Sequence, residues 1–250
     1  MATLGGEAHW LVETIAELCP GAPGIDSNRL EARHVTPRIA DRIRSQILER
    51  LVDHTGVPVG GGRVLTFVEK TPKNALRIPF LNQIFPDARF VFLWREPRGN
   101  LSSIIDAWRS GNWRTYPRLD GFVLPWSLLL PPGWSALRGR SVEEIAAFQW
   151  QVTNRCVLED LAPLARERWT PLDYAALVGD PAATIARLCA FLGLTMDPAL
   201  AARVAAPLPA ARHTLAPAHP EKWRQNAEAL ERVLPGVAAT WDELKALTPA

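Results

Sequence analysis

Cysteine is scarce: Cys19, Cys156 and Cys189 stand far apart among 250 residues. Three thiols cannot pair completely, and none sits at a metal-ligand spacing, so neither a disulfide framework nor a cysteine metal site is expected. Such usage fits a reducing, cytoplasmic setting. Long apolar runs are missing too. The longest, Phe122 to Leu130, is broken by Pro125, whereas a membrane-crossing helix needs about 20 apolar residues. The opening MATLGGEAHW has no basic stretch followed by an apolar one, so no signal peptide is expected. No charge of one sign dominates: 28 Lys and Arg against 26 Asp and Glu leave a net of +2. Nucleic acid is therefore not an expected partner, although a local basic pocket is compatible with this balance. His34, His54, His213 and His219 show no ligand spacing, and no metal is expected. Proline (22) and tryptophan (10) are plentiful but fall in no repeat, which excludes a solenoid.

What is present reads as an ordinary globular chain, 48% hydrophobic and 22% charged. A chain of this length buries roughly 70–75% of its unfolded surface, so one domain over residues 1–250 is expected, with no need of staples. A short helix is expected over His9 to Leu18, stopped by Pro20-Gly21. A second is signed by Thr36 as cap, Pro37 at the first helical position, and Ile39, Ile43, Ile47 and Leu51 every four residues. Gly56 and Gly60-Gly61-Gly62 end it.

Residues 64–108 are the most informative. Val64 to Val68 reads as a strand, Asn74 to Phe85 as a helix, and Phe90 to Leu93 as a strand covered on both faces. Pro97 then opens a helix with Leu101, Ile104, Ile105 and Trp108 on one face. Alternation of this kind is the mark of a parallel α/β unit. Residues 109–140 form a long, aromatic and proline-rich segment, expected to be a lid or binding wall. Ser141 with Glu144 is a capping box opening a helix towards Leu164. Trp169 to Tyr174 reads as a weaker strand because Pro171 lacks a donor, and Asp180-Pro181 cap a helix that stops at Gly193.

Ligands of open parallel sheets sit where strands end. The first strand is followed by Glu69-Lys70-Thr71-Pro72-Lys73, the second by Trp94-Arg95-Glu96-Pro97-Arg98 and a helix carrying Ser103. Free N–H groups at that helix start, with Arg95 and Arg98 beside them, make an expected anion site. Ser103 lies eight residues after Arg95, so the two can share one phosphate.

The run FVEKTPKNALRIPFLNQIFPDARFVFLWREPRGNLSSIIDAWRSG resembles the middle of a sulfotransferase that uses 3′-phosphoadenosine-5′-phosphosulfate (PAPS). In that family an arginine ending a central strand and a serine eight residues on bind the 3′-phosphate, as Arg95 and Ser103 are placed to do. EKTP is similar to the Lys-(Asp/Thr)-Pro element of the tyrosylprotein and carbohydrate sulfotransferases, whose lysine faces the transferring group; here that is Lys70. PLDYAALVGDPAATIARLCAFLGL resembles the family's Tyr-Glu-Asp-Leu…Asp-Pro…Phe-Leu-Gly segment, which puts Tyr174 near the adenine. EKWR resembles the C-terminal loop that closes on the nucleotide, which implicates Lys222 and Trp223. GGEAHW resembles a Gly-Glu segment whose acid can act as general base, so Glu7 is a candidate and His9 its rival.

The resemblance implies an α/β fold, a central parallel sheet flanked by helices, P-loop-like. It implies transfer of a sulfuryl group from PAPS to a hydroxyl or amine acceptor, with no metal. The family's opening strand and phosphosulfate-binding loop, typically Pro-Arg-Ser-Gly-Thr/Ser-Thr, have no counterpart in the sequence, so the fold is expected to lack its first strand and loop. Two rival readings follow. One is a truncated, non-catalytic nucleotide-binding or interaction protein of the same fold. The other is a phosphoryl-transferring kinase, disfavoured because no GxxxxGK[ST] loop is present.

Overall fold

The computed structural model describes residues 1–59, 66–206 and 221–247. They gather into two compact units, residues 1–88 with 129–134, and residues 89–128 with 135–250. The Gly60-Gly61-Gly62 turn, the start of the strand proposed over Val64 to Val68, His213 and His219 lie outside the described residues.

In the first unit, β1 (Ala2–Thr3) runs parallel to β2 (Phe67–Val68). Between them come a one-turn helix α1 (Trp10–Glu13) and α2 (Pro37–Leu48). The signs on α2 act as read: Thr36 Oγ1 accepts the Ile39 N–H at 3.3 Å, and Ile39, Ile43 and Ile47 are buried. They pack with Leu11, Ile15, Leu30 and Phe80 into one core. The helix expected over Asn74 to Phe85 is split. A 3₁₀ turn over Pro72–Leu76 gives way at Arg77 to α3 (Ile78–Ile84), because Pro79 admits a helical start but not an unbroken ladder.

The second unit holds β3 (Phe90–Trp94), α4 (Pro97–Ser110), an antiparallel pair β4 (Arg114–Tyr116) and β5 (Trp126–Ser127), and α5 (Val142–Leu161). After these come β6 (Trp169–Asp173), α6 (Tyr174–Gly179), α7 (Pro181–Leu192), α8 (Pro198–Ala205) and α9 (Ala227–Lys245). Its core joins α4, α5 and α9 through Leu101, Ile105, Ile145, Trp150, Leu230 and Val237. The aromatic segment after α4 contributes Trp126, wholly buried and edge-on to Trp108 at 5.2 Å.

Parallel pairing between strands that alternate with helices makes this an α/β fold. The pairing is divided into separate ladders, β1 with β2 and β3 with β6. β3 and β6 pair over five residues, from Phe90 with Trp169 to Trp94 with Asp173. Pro171 is tolerated because β6 is an edge strand. Among the described residues, β3 is not covered on both faces. Phe92 and Trp94 are buried, while Val91 and Leu93 are 37% and 48% exposed. A five-residue apolar run carries no information on which of its two faces is covered.

Ser141 and Glu144 form the capping box at the start of α5, with Ser141 Oγ accepting the Glu144 N–H at 3.3 Å and Glu144 accepting the Ser141 N–H at 2.8 Å. The bond from the Ser141 N–H holds the Glu144 carboxyl below its ordinary range. That half of the box is fully present above the unfolded carboxylate value of about 4.3 and is lost as pH falls through the lower folded value. Ser141→Ala is expected to cost about 1 kcal/mol. Thermal melting at neutral pH should show this as a fall of about 2–4 °C.

Candidate active site

Parallel register builds the first cluster, which lies in the second unit. Trp94 and Asp173 are partners at the carboxyl ends of β3 and β6, so the next residues, Arg95 and Tyr174, emerge side by side. The Arg95 guanidinium carbon lies 4.9 Å from the centroid of the Tyr174 ring, a cation–π distance. Arg95 also crosses the first turn of α4. A Cβ on Gly99 would stand 2.8 Å from Arg95 Nη2, so the glycine leaves the space that the guanidinium fills. One turn on, Ser103 Oγ donates to the Gly99 carbonyl at 2.9 Å. Arg95 thus lies over Gly99 in the first turn of α4, and Ser103 stands one turn further along the helix.

The helix start is not the open set of N–H groups expected from the sequence. Glu96 is the N-cap. Its carboxylate accepts the Arg98 N–H at 2.8 Å and the Gly99 N–H at 2.5 Å. A negative charge already occupies the positive end of the helix, so the backbone N–H groups of this turn are spent and the cationic side chains beside it are Arg95 and Arg98. The signal was legible: an acid directly before a proline at the first helical position is placed to cap.

Arg98 is exposed, and its guanidinium lies 4.6 Å from the ring of Trp223. Trp223 belongs to a 3₁₀ turn, Lys222–Asn226, that packs along α4. Lys222 Nζ is 3.5 Å from Asp106 Oδ2. Sequence reading missed Asp106 and Asn226, which hold this turn; their bonds span 120 residues of chain and leave no local pattern.

The second cluster lies in the first unit. Thr71 Oγ1 accepts the Ala8 N–H at 2.8 Å, and Glu69 is bonded by Thr71 and Asn74. Lys73, only 12% exposed, pairs with Glu13. These contacts lock the EKTP turn against residues 7–13. Upon that frame Lys70 Nζ meets Glu7 Oε1 at 2.6 Å, with side chains 74% and 38% exposed. The two candidates for charge and proton handling are therefore in direct contact. An exposed pair of this kind contributes only about 0–1 kcal/mol, so separating it costs little. His9 caps α1 with its backbone carbonyl, which accepts from Val12 and Glu13. Among the described residues its side chain joins neither cluster.

The sulfotransferase family matches residues 24–198. Among solved structures, sulfotransferase STF9 from Mycobacterium avium is 20% identical over 81% of this chain and 46% of its own, with a TM-score of 0.49. The sulfotransferase domain from the curacin biosynthetic pathway is 20% identical over 65% of this chain and 46% of its own, with a TM-score of 0.43. The chain thus aligns with less than half the length of either structure. No curated protein matches it. Residues 24–198 include the EKTP turn, β3, Arg95, Ser103 and Tyr174, whereas Glu7, His9, Lys222 and Trp223 lie outside them. With seven-tenths of its residues matched, the chain belongs to the sulfotransferase family.

Proposed function

We propose that this protein transfers a sulfuryl group from PAPS to a hydroxyl or amine. The observation that carries the reading is the meeting of Arg95 and Tyr174 where β3 and β6 end, over the Gly99 turn that Ser103 follows by one turn of α4. A guanidinium beside an aromatic ring suits a phosphorylated nucleoside, because the cation takes a phosphate and the ring offers a face to a base. The space above Gly99 fits this too, since only a glycine there lets the guanidinium lie on the helix.

In this reading Arg95 and Arg98 hold the 3′-phosphate together with Ser103, whose hydroxyl turns from the Gly99 carbonyl to donate to it; Tyr174 and Trp223 contact the nucleoside, and Lys222 adds charge. When bound, the donor supplies the sulfuryl group, which leaves a bridging phosphate oxygen for the acceptor's oxygen or nitrogen. Lys70 stabilises the charge left on that bridging oxygen. Glu7, which stands beside Lys70, takes the acceptor's proton; His9 is the alternative base. Much of the rate gain comes from fixing the donor in place.

Calorimetry with adenosine 3′,5′-bisphosphate and adenosine 5′-monophosphate tests the nucleotide site. The bisphosphate is expected to bind more tightly, and equal affinities would remove the 3′-phosphate assignment. Gly99→Ala provides a second check. Alanine at this position would meet Glu96 Oε1 at 2.6 Å and Arg95 Nη2 at 2.8 Å. Both are ends of flexible side chains and can move, while alanine itself favours a helix by up to about 1 kcal/mol. The expected result is a nearly unchanged melting temperature and a severalfold loss of bisphosphate affinity. Unchanged affinity would show that Arg95 need not lie across this turn.

A further inference from the structure

We propose that Asn226 and Asp106 are positioning residues for the nucleotide site, fixing where Trp223 and Lys222 stand against α4. This rests on the donor-site reading above and adds to it two residues that touch no reacting atom.

Helix α4 carries Arg98, Ser102, Asp106 and Arg109 at intervals of four, four and three residues, which sets them in one stripe. The Lys222–Asn226 turn spends its side chains on that stripe. Trp223 meets Arg98 at 4.6 Å. Asn226 Nδ2 donates to Ser102 Oγ at 2.9 Å and to Asp106 Oδ1 at 3.0 Å. Asn226 Oδ1 accepts from Arg109 Nη1 at 2.7 Å. Asp106 Oδ2 accepts from Gln225 Nε2 at 2.7 Å and lies 3.5 Å from Lys222 Nζ.

Both polar atoms of the Asn226 side chain are thus satisfied by α4, in a place where Asn226 is 4% and Ser102 2% exposed. Such a network has one register. Shifted by one residue, Ala227 or Gln225 would occupy the amide's place. Alanine would leave Ser102 and Asp106 without that partner in a dry site, and glutamine is one methylene too long. The contact between Trp223 and Arg98 has no comparable selectivity, because a guanidinium slides over a ring at little cost. What sets Trp223 opposite Arg98, three residues before Asn226, is therefore the buried amide and its carboxylate. The stripe runs past Ser103 to the start of α4, where Arg95 lies, so misplacing the turn withdraws Trp223 and Lys222 from the nucleotide while the helix itself stands.

The test is calorimetry with adenosine 3′,5′-bisphosphate on the full chain, each variant first checked for a cooperative melt. Asn226→Ala and Asp106→Asn are each expected to weaken binding roughly tenfold, the scale of one lost hydrogen bond to a charged group. Asp106→Asn keeps the shape of the side chain and removes the ionic partner of Lys222, so it decides the matter if Asn226→Ala does not fold. Adding Asn226→Ala to a protein that already carries Trp223→Ala and Lys222→Ala should cost little further affinity, because Asn226 acts through those two side chains. Fully additive losses would make Asn226 a structural residue only and overturn the proposal. Variants that bind as tightly as wild type would overturn it while leaving the donor site intact. A wild type that binds no bisphosphate would overturn the donor-site reading and the positioning role together.

Discussion

Arg95→Ala should weaken binding of adenosine 3′,5′-bisphosphate by about 10- to 150-fold, and binding of adenosine 5′-monophosphate far less. A hydrogen bond to a charged partner contributes about 1.5–3 kcal/mol, and each 1.4 kcal/mol is about tenfold in affinity. Arg95 is placed for the larger part of that range. Its guanidinium is held on one side by Tyr174 at 4.9 Å and rests on the turn that Gly99 keeps open, so little side-chain entropy remains to be lost on binding. Glu96 occupies the nearby helix N–H groups. With those groups spent on the cap, no backbone donor at this turn replaces the lost guanidinium. Calorimetry on the two proteins decides it. A loss shared equally by both nucleotides would assign Arg95 to the 5′ side or to the nucleoside, and no loss would remove it from the site.

Local signals were enough to place the helices, whereas the candidate site depends on long-range pairing. Thr36-Pro37, Ser141 with Glu144, and Asp180-Pro181 to Gly193 are contacts within a few residues, and each forms as read. Gly193 adopts φ +68°, the left-handed stop that a glycine permits. The eight-residue spacing of Arg95 and Ser103 could be read directly, because it lies within one strand end and the first two turns of α4. The partnership of Arg95 with Tyr174 could not, because it depends on the register of β3 against β6, and an apolar run does not encode register. The exposed Val91 and Leu93 were illegible for the same reason. Lys70 with Glu7 could be suspected only as two candidates, because the contact is made by the folding of EKTP against residues 7–13. Asp106 and Asn226 were invisible. A polar residue inside an amphipathic helix reads as a solvated face until the chain 120 residues on is seen to cover it.

Lys70→Ala is expected to lower kcat for sulfuryl transfer by about 10²–10³-fold, the usual size of losing one donor aimed at developing charge, with bisphosphate affinity changed less than about threefold. The reason lies in what Lys70 contacts before the reaction. Its ammonium is 74% exposed and its partner in the structure is Glu7. A lysine so exposed contributes little to the fold, and the turn that carries it is fixed by other bonds, Thr71 to Ala8 and Lys73 to Glu13. Removing it should therefore leave melting unchanged. Its effect should appear only where charge develops on the departing oxygen, which is a transition-state term and falls on kcat. Glu7→Gln separates the two roles. If Glu7 is the base, this variant loses turnover at neutral pH and regains part of it with acceptors whose hydroxyl is more acidic. Lys70→Ala should show the opposite preference, recovering with better leaving groups on the donor and not with more acidic acceptors. Transfer of labelled sulfate from PAPS to a graded series of phenols, with donor affinity measured alongside, distinguishes them. A Lys70→Ala protein that binds the donor poorly yet turns over normally at saturation would make Lys70 a binding residue alone. A Glu7→Gln protein with full activity would pass the proton to His9.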